Sequence, residues 1–254
     1  MDSTDNQYTT IIHDALRHWS ERTGRPSLDI RCACIDMDGT LYDSMRNHTA
    51  AWHRLMTGQG ISCTPDEFYL YEGCTGADTI RRLWPRNFAE KPDDELIKRL
   101  YALKSQYFNE LPPVALIPGA QAMVSELTRA GIATILVTGS GQTSVLDKLD
   151  RDYPGAFPEG RRITARNVTH GKPDPEPYLK GMHLAGALPA ETIVIENAPI
   201  GALAGVRSGA FTVAVRTGPI PRDEFEKVDA DLIVDSMPEF ARLLPDLISL
   251  SKKY

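Results

Sequence analysis

The chain has 254 residues, of which 28 are Lys or Arg and 34 are Asp or Glu, so its formal net charge at pH 7 is −6. Hydrophobic residues make up 42% and charged residues 24%, as in ordinary globular proteins, which excludes a disordered or fibrous chain. The net negative charge disfavours nucleic acid as the main partner, because neutralising phosphates requires clustered Lys and Arg.

Membrane insertion and secretion are also disfavoured by the pattern of residues. Apolar runs such as Ile132–Val137 are far shorter than the ~20 residues that cross a bilayer. The polar N-terminus lacks the basic start and apolar stretch of a secretory signal. We therefore expect a cytoplasmic protein whose four cysteines, at positions 32, 34, 63 and 74, are free thiols.

Residues 1–30 contain one amphipathic segment. Ile11, Leu16 and Trp19 recur at helical spacing, and Gly24 and Pro26 follow as stop signals. We predict an accessory helix that packs on the main body and carries no chemistry.

The main body is predicted to be α/β, with a Rossmann-like parallel sheet core formed by residues 31–45 and 112–250. Four short apolar runs are each followed by polar or glycine residues, and helical patterns lie between the later ones. The predicted strands are 31–36, Ile132–Val137, Thr192–Ile195 and Ala210–Val215. The predicted helices are Ala120–Ala130, Thr143–Leu149, Glu176–Ala187 and Ile200–Ser208.

Residues 46–111 interrupt this alternation because they contain helix-like stretches only. The predicted helices are Asn47–Thr57, Pro65–Leu70, Ala77–Leu83 and Asp93–Phe108. We interpret the segment as an inserted all-helical cap domain that acts as a lid.

Polar side chains follow the predicted strands. Asp36 ends the first run, Thr138 follows the second, and Glu196 and Asn197 follow the third, while Lys172 lies in a loop. Ligands of open α/β sheets bind at the carboxyl ends of the strands. This combination of carboxylates, hydroxyl, amide and ammonium suits a divalent cation together with a phosphoryl group.

These residues resemble the four motifs of the haloacid dehalogenase superfamily. Residues 36–40 read D-M-D-G-T and match its first motif, D-x-D-G-T. Thr138, Lys172 and the Glu196-Asn197 pair match the second, third and fourth motifs in the right order. The position of the predicted cap is similar to that in the β-phosphoglucomutase-like subgroup. The resemblance covers residues 31–244 and implies a phosphatase or related phosphohydrolase.

The resemblance implies roles that agree with the chemistry of the residues. Asp36 is the expected nucleophile, forming an aspartyl-phosphate, and Asp38 is the expected general acid and base. Thr138 and Lys172 are expected to bind the phosphoryl oxygens. Gly139 and Ser140, in the loop after Thr138, are further substrate-binding candidates.

The expected cofactor is Mg²⁺, held by Asp36, by Asp38 through its carbonyl, and by a side chain from Glu196 or Asn197. Asn197 stands where the family more often has an acid, so one negative charge is missing from the site. This change implies either weaker metal binding or better tolerance of a highly charged anion.

The predicted cap holds the residues that bear on substrate choice. His48 resembles the subgroup's first cap helix, where a histidine faces the site. In the loop 71–78, Glu72 and Gly76 occupy the positions of a basic residue and an arginine in the mutases. A mutase needs that arginine to grip a second phosphate. The loop, together with the runs 137–142 and 196–201, is similar to the inorganic pyrophosphatase branch of the subgroup.

The first functional hypothesis is therefore a Mg²⁺-dependent hydrolase of inorganic pyrophosphate. The alternative is a sugar-phosphate phosphatase or a β-phosphoglucomutase, and a third reading is a non-catalytic phosphate-binding protein. The expected partner is a small phosphorylated molecule, with no nucleic acid or membrane, and the expected oligomeric state is a monomer.

Overall fold

The computed structural model describes residues 3–141 and 143–252, so the first two residues of the predicted accessory segment lie outside the described residues. Its centre is one sheet of six parallel strands in the order 3-2-1-4-5-6. The strands are β1 (Cys32–Ile35), β2 (Ala133–Val137), β3 (Arg162–Ile163), β4 (Thr192–Glu196), β5 (Phe211–Val215) and β6 (Leu232–Val234). The predicted α/β class with a parallel sheet is confirmed.

All four predicted strands form, each within one residue of the predicted bounds at either end. The sequence patterns missed β3 and β6, which have two and three residues and are too short to show a periodic signal. Both lie at the edges of the sheet. The central strand β1 is fully buried because helices cover both faces of the sheet.

Helices on both faces bury the sheet. They are α1 (Ser3–Thr23), α5 (Ala120–Arg129), α6 (Thr143–Asp152), α7 (Glu176–Ala185), α8 (Pro199–Ser208), α9 (Arg222–Glu226) and α10 (Met237–Ser251). α10 packs against both α5 and α1 on one face, and α7 packs beside α8 on the other. No helix within residues 3–141 and 143–252 combines the length and apolar character needed to span a bilayer.

The first helix belongs to the core. Ile12, Leu16 and Trp19 of α1 are fully buried in the same apolar cluster as α10. Arg22 donates two hydrogen bonds to the buried carboxylate of Asp231, at 3.1 and 2.7 Å, and one to the carbonyl of Val206 at 2.9 Å. Both apolar and ionic contacts therefore hold this segment on the main body.

Between β1 and α5 the chain forms a helical insert, Met45 to Asn109. It contains α2 (Met45–Gly58), α3 (Gly76–Leu83) and α4 (Asp94–Asn109), with 3₁₀ turns at Pro65–Tyr69 and Trp84–Arg86. The segment predicted as the helix Pro65–Leu70 is thus a 3₁₀ turn, while the other three helices agree with the prediction. The insert has its own apolar cluster around Trp52, Phe68 and Leu100.

Candidate active site

The carboxyl edge of the sheet brings the strand-end residues together. Ile35 of β1 pairs with Leu136 of β2 and with Ile195 of β4, so the residues that follow each strand emerge side by side. Asp36, Thr138 and Glu196 therefore meet at one edge, as the sequence predicted. The helical insert lies over the same edge, because His48 of α2 contacts Asp38.

Lys172 links two of these carboxylates. Its Nζ donates to Asp36 Oδ1 and to Glu196 Oε1, both at 2.6 Å, and to the carbonyl of Val137 at 3.1 Å. The side chain is 1% exposed. Burial by itself would lower the pKa of Lys172, but the charges of Asp36 and Glu196 outweigh it and raise that pKa. Lys172 is therefore a fixed cation at the candidate nucleophile.

Asp36 lies in an environment with excess negative charge. Burial raises its pKa to about 8, and the neighbouring carboxylate of Glu196 adds to this rise while Lys172 opposes it. Thr40 Oγ1 donates to Asp36 Oδ2 at 3.4 Å and to Asn197 Oδ1 at 3.0 Å. A carboxylate is nucleophilic only when ionised, so Asp36 needs more positive charge nearby than Lys172 alone provides.

Asp38 is held in its ionised form by several donors. Ser44 Oγ donates to Oδ1 at 2.6 Å, His48 Nε2 lies 3.0 Å from the same oxygen, and Thr138 Oγ1 donates to Oδ2 at 3.4 Å. Burial would raise the pKa of Asp38, but His48 and Ser44 outweigh this and lower the pKa to about 2. Asp38 is accordingly ionised in this arrangement of the site.

Behind His48 lies a buried lysine that sequence reasoning missed. Lys104 Nζ of α4 is 2.6 Å from His48 Nδ1 and about 5 Å from the rings of Trp52 and Phe108. Burial lowers the pKa of Lys104 to about 7. Burial and the charge of Lys104 also lower the pKa of His48. The sequence could have indicated that Lys104 is buried, because it falls four residues after Leu100 on the apolar face of its helix.

Glu72 reaches from the helical insert to the sheet edge. Asn197 Nδ2 donates to Glu72 Oε1 at 2.6 Å, and both side chains are buried. Burial raises the pKa of Glu72 well above its ordinary value. The hydrogen bond from Asn197 opposes this rise, and the charge of Asp36 adds to it. Gly39, with φ of +80°, lies directly against this pair, and a Cβ there would overlap the Asn197 amide.

The set of donors fits a hard divalent cation. Four buried carboxylates surround the site, and within the described residues the buried ammonium groups of Lys172 and Lys104 are too few to balance them. Oxygen donors of this kind are those that Mg²⁺ prefers. No group of three or more His, Cys, Asp or Glu side chains arranged to hold a metal occurs within residues 3–141 and 143–252, so a metal here would also need amide and carbonyl oxygens. The four carboxylates belong to Asp36, Asp38, Glu72 and Glu196.

Glu196 and Asn197 differ in how far their oxygens are already used. Glu196 Oε1 accepts from Lys172 and from the hydroxyl of Tyr178, each at 2.6 Å. Its Oε2 accepts from the backbone N–H groups of Asn197 and Ala198 at 3.0 and 3.3 Å. Asn197 Oδ1 accepts from Thr40 at 3.0 Å. Of Glu196 and Asn197, predicted as alternative metal ligands beside Asp36 and Asp38, the geometry therefore favours Asn197, and Glu196 orients Lys172. Tyr178 is a second residue that sequence reasoning did not identify.

The loop after β2 is held by the helical insert. Ser140 N donates to Thr138 Oγ1 at 2.9 Å, and Gly141 N donates to the hydroxyl of Tyr101 at 3.0 Å. Gly139 packs so closely on this side that a Cβ would lie 2.5 Å from the carbonyl of Gly73. The predicted residues Gly139 and Ser140 thus line the site, whereas Gln142 of the same run lies outside the described residues.

Tyr101 fills the space that a side chain at position 76 would occupy. A Cβ on Gly76 would overlap the Tyr101 ring. The space left beside the Tyr101 ring is a cavity of about 50 Å³, the front cavity. Its walls include Asp36, Asp38, His48, Glu72, Tyr101 and Thr138. Sequence reasoning missed Tyr101 because a tyrosine on a helix is ordinarily a packing residue.

A family model described as haloacid dehalogenase-like hydrolase matches residues 34–215, which include every motif residue above. The chain belongs to the haloacid dehalogenase-like hydrolase family. Hexitol phosphatase A of Escherichia coli is 32% identical over 206 residues, covering 81% of this chain and 90% of that protein. This family membership makes the chain a hydrolase of the phosphatase type, which confirms the predicted enzyme class.

Two further comparisons bear on the subgroup of this haloacid dehalogenase-like hydrolase. A structure described as a putative β-phosphoglucomutase from Bacteroides vulgatus matches with a TM-score of 0.91 and 38% identity, covering 96% of this chain and 99% of that one. The pyrophosphatase PpaX of Bacillus cereus is a more distant relative, 25% identical over 226 residues, covering 87% of this chain and 99% of that protein. The relatives thus favour a sugar-phosphate phosphatase, the alternative hypothesis, over a pyrophosphatase.

Proposed function

We propose that the enzyme hydrolyses a small phosphorylated substrate through a phosphoryl group carried on Asp36, and that a phosphate monoester of a sugar or polyol is the first candidate. The arrangement of charged side chains around Asp36 supports this type of reaction. Lys172 bridges Asp36 and Glu196, while Asp38 is held two residues away by Ser44 and His48. The hexitol phosphatase relative supports the substrate class.

The reaction proceeds in two displacements. Asp36 attacks phosphorus and the bond to the leaving oxygen breaks, while Asp38 gives that oxygen a proton. Asp38 then takes a proton from water, whose oxygen attacks the phosphoryl group and frees Asp36. A bound phosphoryl group brings negative charge close to Asp38, which raises the proton affinity of Asp38 from the low value seen here.

Other residues stabilise the charge that moves during these steps. Thr138, the amide of Gly139 and Lys172 bind the phosphoryl oxygens, with Ser140 completing the loop around them. His48 positions Asp38, and Lys104 in turn positions His48 through a contact of 2.6 Å. Because these two positioning residues lie in the helical insert, the acid and base function depends on closure of that insert.

Mg²⁺ is the cofactor we propose, with Asp36, the backbone carbonyl of Asp38 and Asn197 as its ligands. Its charge would keep Asp36 ionised and offset repulsion between that carboxylate and the substrate. Replacement of the usual acid by Asn197 leaves a less negative set of ligands. Glu196 holds Lys172 in place from behind.

We also propose that residues 46–111 form a cap that opens and closes over the core. Glu72, His48 and Tyr101 reach the edge of the sheet from this segment. A cavity of about 50 Å³ does not admit a sugar phosphate, so the segment must move for such a substrate to enter.

Inorganic pyrophosphate is a second candidate, which one feature of the site favours. Glu72 and the Tyr101 ring leave little room beyond the transferred phosphoryl group, and Gly76 offers no side chain to bind a distal phosphate. A compact diphosphate complexed with Mg²⁺ suits such a site better than a sugar does. A mutase needs an arginine at position 76 to bind a second phosphate, and Gly76 does not provide one, so this position does not support a mutase reaction.

Phosphate release tests these candidates directly. The purified enzyme with Mg²⁺ is assayed on a hexitol phosphate, a hexose 6-phosphate, glycerol phosphate, nucleotides and pyrophosphate. The first candidate predicts the highest kcat/KM on a monoester, and the second predicts it on pyrophosphate. If beryllium trifluoride fails to trap on Asp36 in the enzyme while hydrolysis proceeds, the covalent mechanism is wrong.

A further inference from the structure

A second cavity adjoins the candidate active site. This side cavity has a volume of about 340 Å³, compared with about 50 Å³ for the front cavity. Its walls include Gly39, Asp43, Arg46, Glu72, Asn197 and Gly218. It is thus the larger of the two spaces at this edge of the sheet, and the reaction scheme above makes no use of it.

The two cavities touch different parts of the site. The front cavity is lined by Asp36, Asp38 and Thr138, the residues to which the proposed function assigns the phosphoryl group. None of these three lines the side cavity, which instead reaches Asn197 and Glu72. Glu72 lines both spaces, and the hydrogen bond of 2.6 Å from Asn197 to Glu72 lies between them.

From this division we infer that the side cavity is the passage by which a hydrated divalent cation reaches and leaves the site. The inference rests on the Mg²⁺ site of the proposed function. Mg²⁺ gives up its water reluctantly and travels with several water molecules. A single water needs roughly 10–15 Å³ of such space, so the side cavity admits a hydrated ion whereas the front cavity admits only a few waters.

Charges on the cavity wall should govern the passage. Asp43 and Glu72 contribute carboxylates, and Arg46 contributes an opposing guanidinium. Asp43 and Arg46 are both exposed, so a cation arriving from solvent meets them before it meets Glu72 and Asn197. Removing the charge of Asp43 should slow entry of the cation, and removing that of Arg46 should speed it.

Gly218 permits a test that leaves the catalytic residues untouched. A Cβ on Gly218 would have no neighbour within 4 Å, and its backbone does not adopt the left-handed conformation. Gly218→Trp therefore adds an indole at the cavity wall. Gly160→Trp is the matched control, because Gly160 is also exposed with no neighbour within 4 Å and is not among the residues lining the side cavity.

The experiment measures metal exchange without substrate, using Mn²⁺, which accepts the same oxygen ligands. Stopped-flow transfer of Mn²⁺ from the loaded enzyme to a coloured chelator gives the dissociation rate, and equilibrium dialysis gives the Kd. Gly218→Trp should slow dissociation about tenfold, a barrier increase of about 1.4 kcal/mol. Because obstructing a passage slows entry and exit equally, the Kd of Gly218→Trp should stay at the wild-type value. For Gly160→Trp, both the dissociation rate and the Kd should stay at the wild-type values.

Three outcomes overturn the inference. An unchanged dissociation rate in Gly218→Trp means that the cation leaves by another route. A changed Kd with an unchanged association rate means that the site itself was disturbed. Asp43→Asn and Arg46→Gln remain informative if the tryptophan variant does not fold, and equal association rates in these two variants contradict a charged passage. If the wild-type enzyme binds no Mn²⁺, the metal site of the proposed function fails instead.

Discussion

Glu72→Ala is the change that best separates the two substrate candidates. Glu72 is buried and accepts a hydrogen bond from Asn197 at 2.6 Å, and the charges of Asp36, Glu196 and Asp38 act on it. A hydrogen bond to a charged group contributes about 1.5–3 kcal/mol. If Glu72 acts on a compact, metal-complexed diphosphate, its loss should lower kcat/KM for pyrophosphate by about 10- to 150-fold.

A monoester should respond differently to the same substitution. Glu72→Ala removes a carboxylate that repels anions and enlarges the front cavity, so kcat/KM for a sugar phosphate or for p-nitrophenyl phosphate should hold or rise. The measurement is the ratio of kcat/KM on pyrophosphate to that on the monoester, from phosphate release at saturating Mg²⁺. Equal losses on both substrates would refute a role for Glu72 in substrate choice.

Two further variants identify which property of Glu72 matters. Glu72→Gln retains an oxygen that can accept from Asn197 but has no charge, so it separates hydrogen bonding from electrostatics. Glu67→Ala is the matched control, because Glu67 lies in the same part of the insert and forms a partly exposed ion pair with Arg86 at 2.8 Å. The control should leave the ratio unchanged, and a shift comparable to that of Glu72→Ala would indicate a general disturbance of the insert.

Three other predictions concern the nucleophile, the buried lysine and the first helix. Asp36→Asn should reduce phosphate release to the background rate while circular dichroism shows an intact fold, and full activity would exclude Asp36 as nucleophile. Lys104 has a folded pKa of about 7 against 10.5 for an unperturbed lysine, so the folded state binds fewer protons between these values and stability should rise with pH there. Lys104→Met should abolish that rise in thermal melts, and an unchanged slope would contradict a depressed pKa. Arg22→Ala should lower the free energy of urea unfolding by about 3–5 kcal/mol, because it leaves the buried Asp231 carboxylate without its main partner. The control is Arg17→Ala, which breaks only an exposed ion pair and should lower that free energy by less than about 1 kcal/mol.

The meeting of polar side chains at the edge of the sheet was predictable from sequence. Parallel strands that start and end in register place the residues after them side by side, so Asp36, Thr138 and Glu196 needed only correct strand ends to be brought together. Those ends were readable because buried parallel strands are short continuous apolar runs. The edge strands β3 and β6, with two and three residues, carry no such pattern.

Contacts between the helical insert and the core depended on tertiary structure. Asn197 and Glu72 are 125 residues apart, and Lys104 and His48 are 56 apart, so no local pattern links the members of either pair. Their partners, the pKa values that follow from burial, and the sizes of the two cavities depend on how the insert sits on the sheet. Local sequence therefore determined which polar groups meet at the edge of the sheet, whereas packing between distant segments determined their charge states and the space left between them.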